Sequence, residues 1–191
     1  MGKSLKIQDM ITTGVYTAIY FLLVGVATFI SAFLLPGFSV ILLPGFSALI
    51  TGAVYLLLIK KTKKFGAITS MGIVMGLFFL LVGHFALTFI PHLVSAILAD
   101  LVAKKGNYLS QKWNRLSFIV FSYGVTGPIL PLWFFKSSYT ASLVNRGKDA
   151  AYIAKTFANI TWSSFFICIV FVAICGWIGG IIGQKTLEKH F

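Results

Sequence analysis

The stretch VGHFALTFIPHLVS, residues 82–95, puts His84 and His92 inside a run without Lys, Arg, Asp or Glu from Phe65 to Ala99. An imidazole there can hydrogen-bond a solute, ligate a metal or pass a proton, and polar groups are rare in lipid without such a duty. Thr88, His92 and Ser95 recur at i, i+4 and i+7, one face of a helix. Tyr152, Thr156, Asn159 and Ser163 form a second polar stripe at helical spacing, with Trp162 beside it. A third set follows an apolar run: Trp133, Phe134, Phe135, Lys136, Ser137, Ser138 and Tyr139, with Arg146 farther on. Together these residues predict a small binding site of imidazole, amide, hydroxyl and aromatic groups. Its candidate lining is His84, Thr88, His92, Ser95, Trp133, Lys136, Tyr139, Arg146, Asn159 and Trp162. Interhelical hydrogen bonding is the competing use for any one Ser or Thr, and a membrane-interface aromatic belt is the competing use for Trp133.

Catalytic and metal-binding patterns are missing from the sequence. No paired acids, H-E-x-x-H or G-x-S-x-G occurs. Two histidines without a nearby carboxylate or thiol make a poor metal site. GGIIGQKT, Gly179 to Thr186, lacks the Gly directly before Lys that a phosphate loop requires. Asp100 is expected to pair with Lys104 one turn on. Cys168 and Cys175, seven residues apart in one apolar run, are separated by roughly 10 Å along a helix, too far for a disulfide. The sequence therefore predicts neither an enzyme nor a resident cofactor or metal.

The elements that would position these groups are membrane helices. The chain has 191 residues, 58% hydrophobic and 10% charged, where a soluble domain carries about 25% charged residues. The net charge of +12 is not a nucleic-acid footprint, because the basic residues cluster between apolar runs. A helix needs about 20 apolar residues to cross a bilayer. The uncharged run from Met10 to Ile59 is long enough for two, with breaks expected at Pro36-Gly37 and Pro44-Gly45. Its first part is longer than a signal-peptide core and is expected to remain as a span. The fold class expected is all-α: one polytopic membrane domain, residues 1–191. Its six spans lie near 10–35, 41–59, 66–83, 86–103, 116–135 and 156–184, with Pro128 and Pro131 bending the end of the fifth.

With both termini cytoplasmic, twelve Lys/Arg fall inside and four outside (Lys136, Arg146, Lys148 and Lys155). The candidate site is then on the outer half. The segment from Lys136 to Lys155 becomes an outer loop, either a lid or a solvated connector. Close-packing pairs of small residues occur at Gly14/Ala18, Gly72/Gly76, Gly176/Gly180 and Gly179/Gly183. Gly14, Thr17 and Ala18 are the candidate partner surface.

TTGVYTAIY at the start, FGAITSMGIVMG in the third apolar run and SAILADLVAKKGNY closing the fourth resemble the S components of energy-coupling factor (ECF) importers, specifically the Trep_Strep or MptD-like subgroup. The likeness spans essentially the whole chain. It implies a six-span subunit of the bacterial cell membrane that binds a vitamin or vitamin precursor from outside. Its partners would be a transmembrane T subunit, which the first helix would contact, and two cytoplasmic ATPases. The family's first-helix motif is commonly Ala-x-x-x-Ala, and here it reads Gly14-Val-Tyr-Thr-Ala18. A thiamine precursor such as hydroxymethylpyrimidine is one expected substrate. The alternative is a stand-alone carrier or channel for a small solute.

Overall fold

A computed structural model describes residues 5–83 and 85–190. All regular structure among them is helical. Helix α1 spans Ile7–Leu34, α2 Ser39–Thr62 and α3 Ala67–Leu81. A 3₁₀ turn, Ala86–Thr88, leads into α4, Phe89–Lys105. Helix α5, Gln111–Ser122, runs into a second 3₁₀ turn, Tyr123–Thr126, and the short α6, Pro131–Phe134. Helices α7, Lys136–Asn145, and α8, Ala150–Phe157, precede the long α9, Trp162–His190. By length and composition α1, α2 and α9 can each cross a membrane, while α3 is apolar but only 15 residues long.

Unlike a soluble protein, the bundle is apolar outside as well as in its core, and its buried residues include many hydroxyls. Thr13, Thr17, Ser31, Ser47, Thr51, Asp100, Ser117 and Ser122 are buried, while Leu22, Phe29, Phe33, Phe166 and Ile174 are exposed. This is the arrangement that a hydrocarbon solvent favours. Most of these buried hydroxyls find acceptors nearby: Thr17 and Thr51 each donate to the carbonyl one turn back, at 2.7 Å. Tyr55 on α2 and Ser117 on α5 share a 2.6 Å hydrogen bond, and Ser117 donates to the Ala99 carbonyl of α4 at 2.6 Å. One hydroxyl relay thus ties three helices.

Glycine sets how closely the long helices approach. A Cβ built on Gly52 would lie 2.2 Å from the Gly179 carbonyl oxygen, and one on Gly179 would lie 2.2 Å from that of Ala48. A Cβ on Gly183 would lie 2.7 Å from the Ala53 nitrogen. Helices α2 and α9 therefore pack backbone to backbone. Gly72 and Gly76 do the same for α3 against Ala96, His92 and Phe89 of α4, and Gly176 and Gly180 face Ile119 and Arg115 of α5.

The basic clusters gather at one end. Lys64 pairs with Asp9 at 2.5 Å, joining the start of α1 to the α2–α3 link. Gln111 donates to Glu188 at 2.7 Å, and Gln184 donates to the Gln111 carbonyl at 2.6 Å, joining the start of α5 to the end of α9. Asp100 departs from the expected pairing with Lys104. Its carboxylate accepts from the backbone N–H of Gly66 (2.8 Å) and Thr69 (3.0 Å), and from the hydroxyls of Thr69 (2.8 Å) and Tyr108 (2.9 Å). Lys104 instead places its ammonium 5.4 Å from the Phe65 ring centroid. Asp100 caps the N-terminus of a different helix, α3, where orphan N–H groups and the helix dipole favour an anion. Burial and this carboxylate push the Tyr108 phenol well above its ordinary range, so it stays a donor.

Three expected boundaries shift. Pro44 lies inside α2 and does not break it; the break falls only at residues 35–38. The expected fifth span is interrupted after Ser122. Gly124 and Gly127 let the chain approach α4, and a Cβ on Gly127 would lie 2.6 Å from the Thr88 carbonyl. Beyond them Pro128 and Pro131 prevent a continuous ladder. The segment from Lys136 to Lys155 is not an irregular loop but α7 and most of α8, with Asp149 accepting from the Tyr152 N–H at 2.7 Å as the N-cap of α8.

Candidate functional site

At the end opposite the lysine clusters, a cavity of about 280 Å³ opens between the α1–α2 link, α6, α7 and α8. One wall is residues 36–41. Asn159, just past α8, holds that wall by donating to the Gly37 carbonyl at 2.6 Å. Tyr139 of α7, Tyr152, Lys155 and Thr156 of α8, and Leu132 of α6 complete the lining. Tyr139 packs edge-on against Phe157, with ring centroids 6.3 Å apart and planes at 90°. Burial, and next the neighbouring Tyr152, raise the Tyr139 phenol above its ordinary range, with Arg146 acting the other way. It is therefore a neutral hydrogen-bonding group at physiological pH. Among the described residues the cavity offers two phenols, one ammonium, two hydroxyls (Ser39 and Thr156) and one amide, and no carboxylate lines it.

The sequence-derived candidates do not all converge on this cavity. Tyr139 and Asn159 line the cavity together. Thr88, His92 and Ser95 do not line it. They are buried where α4 meets α3 and the 123–127 turn. There His92 faces the Thr88 carbonyl through Nδ1 at 3.2 Å and stacks on Phe79 with centroids 5.1 Å apart. Gly124 is packed against the same imidazole. Trp133 and Trp162 lie in an aromatic cluster with Phe134 and Phe165. The Trp133 indole N–H donates to the Thr161 carbonyl at 2.8 Å, which fixes the start of α9. Lys136 stands 4.9 Å from the centroid of Phe157, behind Tyr139. Arg146 donates to the Gly83 carbonyl and so links the end of α7 to the α3–α4 connection. His84 lies outside the described residues.

Tyr152, Lys155, Thr156 and the backbone wall at 36–40 were absent from the candidate lining. Tyr152 and Thr156 belonged to the polar stripe on which Asn159 was found, so their spacing was the available signal. Lys155 projects from the same helix turn. The 36–40 wall was read from the sequence only as a break, and the Gly37 carbonyl that Asn159 engages has no side-chain signature.

On the opposite flank, Gly14 and Ala18 are exposed on α1, and a Cβ at Gly14 would meet nothing within 4 Å. Thr17 is on the other face, buried among the helices. Of the four small-residue pairs, the three others are engaged in packing within the bundle. Among the described residues no group of three His, Cys, Asp or Glu side chains could hold a metal ion.

A family model described as hypothetical bacterial integral membrane protein (Trep_Strep) matches residues 7–191. The chain belongs to the Trep_Strep family of bacterial integral membrane proteins. No curated protein and no solved structure matches it. The Trep_Strep assignment agrees with the apolar exterior of the bundle and with its three span-length apolar helices.

Proposed function

We propose that this Trep_Strep protein is the substrate-binding S component of an ECF-type, ATP-driven importer in the bacterial cell membrane. In this reading α3, the segment 86–105 and the broken segment 111–135 cross the membrane alongside α1, α2 and α9, giving six spans with both termini cytoplasmic. The lysine-rich end faces the cytoplasm, in keeping with the positive-inside bias. The cavity then opens outward.

The observation that carries the proposal is the open face at Gly14 and Ala18. Small residues let helices of two proteins approach closely, and here they lie on the surface while comparable pairs are used internally. A T subunit would dock on this face, and two ATPases bound to that subunit would supply the energy. The bundle has little means of driving transport by itself. Its buried acid, Asp100, is held by four donors near the basic end.

The substrate is a small, planar, polar heterocycle of vitamin-precursor size, such as hydroxymethylpyrimidine. A cavity of about 280 Å³ suits such a compound, being near the low end of ligand-site volumes. Tyr139 and Tyr152 supply aromatic faces and phenols, while Asn159, Thr156 and Lys155 supply hydrogen bonds. Mass spectrometry of small molecules carried through purification tests this. A heterocycle recovered with the native chain and lost in Asn159→Leu and Lys155→Met supports the reading. Equal recovery from the native chain and both variants contradicts it.

A further inference from the structure

A second cavity, of about 230 Å³, lies at the lysine-rich end, between the end of α2, the 106–111 turn and the end of α9. Lys60, Lys63, Asn114 and Gln184 line its polar side, and Leu109 and Leu187 are among its apolar residues. Two ammonium groups stand against one carboxylate, Glu188, whose Oε1 already accepts from Gln111. The Asn114 amide donates to the Tyr108 carbonyl at 3.1 Å, while its Oδ1 is buried with no hydrogen-bond partner. A buried acceptor of this kind carries a desolvation penalty until a donor arrives. The site therefore calls for a ligand with three features: an anionic group for the lysines, a hydroxyl for Asn114 and an apolar part for the leucines.

We propose that this cavity binds the glycerophosphate headgroup of an anionic membrane lipid, with the phosphate at Lys60 and Lys63 and a glycerol hydroxyl donating to Asn114. The setting suits a lipid. The cavity is at the end of three bundle helices, where a basic cluster meets the anionic cytoplasmic leaflet, and its leucines would receive the first carbons of the acyl chains. Free glycerol phosphate shares the polar chemistry but has nothing to place on Leu109 and Leu187.

The test uses the full chain released from nanodiscs of equal phosphatidylglycerol and phosphatidylcholine, with retained lipids counted by native mass spectrometry. Phosphatidylglycerol should be retained in preference. Lys60→Gln with Lys63→Gln should weaken that retention by about thirtyfold, since each lysine at a lipid surface contributes on the order of 1 kcal/mol. Lys104→Gln with Lys105→Gln removes the same charge from the same end, where those lysines lie over Phe65 and Trp113, and should leave retention unchanged. Equal loss in the two double variants would reduce the effect to surface charge and overturn the proposal. Soluble glycerol 3-phosphate that competes away the lipid at equal concentration would make a free metabolite the ligand, and would overturn it as well. Because the cavity is far from Asn159, failure here leaves the importer reading intact.

Discussion

Asp100 and His92 are both buried polar residues of α4, and they do different work. Asp100 satisfies two backbone N–H groups at the start of α3, together with two hydroxyls. Asp100→Ala would leave those donors unpaired in a dry interior, at roughly 1–3 kcal/mol for each group. The variant should unfold at lower temperature in detergent, and Asp100→Asn, which keeps one acceptor oxygen, should lose less. His92 packs on Phe79 and fills the joint between α3, α4 and the 123–127 turn. His92→Ala should reduce thermal stability while the folded fraction keeps its ligand affinity. A loss of affinity as large as that of Asn159→Leu would move His92 back into the binding site. Both residues were visible in the sequence as polar groups in an apolar run. Their partners were not: the N–H groups of Gly66 and Thr69 and the absent side chain of Gly124 have no sequence signature, and the hydroxyls of Thr69 and Tyr108 lie outside α4, where helical spacing does not join them to Asp100.

At the scale of elements, glycine decides which helix faces are closed and which are open. Gly52 and Gly179 let α2 and α9 meet through their backbones. Gly179→Val would drive a side chain into the Ala48 carbonyl, so the protein should fail to accumulate as a monodisperse species in size-exclusion chromatography. A Cβ at Gly14 meets nothing within 4 Å, so Gly14→Leu should elute and melt like the native chain. Four of the helical segments were legible as apolar runs: residues 10–35, 41–59, 66–83 and 86–103 each coincide with one element or an element and its leading turn. The other two were not legible as single rods. Pro44 was expected to stop a helix but sits within α2, past its first turn, where it forgoes one bond to the Val40 carbonyl and the helix continues. The fifth run does stop, but at Ser122, before its prolines: Pro128 lies past the 3₁₀ turn and Pro131 opens α6. The difference lies in tertiary contact, since Gly127 is pressed against α4. Asp149, a good N-cap after Gly147, was the signal that 150–157 would be helical.

At the scale of the whole molecule, the two ends have opposite characters. One end gathers lysines around a short set of cross-links between α1, α2, α5 and α9. The other holds a small neutral-to-basic cavity walled by α7 and α8. Between them the bundle presents Leu, Ile and Phe outward and hydroxyls inward. Such a body can sit in lipid at low cost; under the proposed importer reading, a partner would convert ATP hydrolysis into its movement. Composition was enough to read the membrane class and the one-sided placement of charge. The site was half legible: helical spacing found Asn159 and its stripe, whereas Thr88, His92 and Ser95, equally well spaced, turned out to face another helix. Periodicity identifies a face, and only the packing says what covers it.

The most direct test is co-expression of the tagged chain with a T subunit and two ATPases of the ECF type, followed by purification on the tag. The account predicts a four-protein complex with the native chain and its loss with Gly14→Leu, whose fold is unchanged. Recovery of the chain alone, under conditions where an established S component assembles with the same partners, would contradict the importer reading and favour a stand-alone carrier.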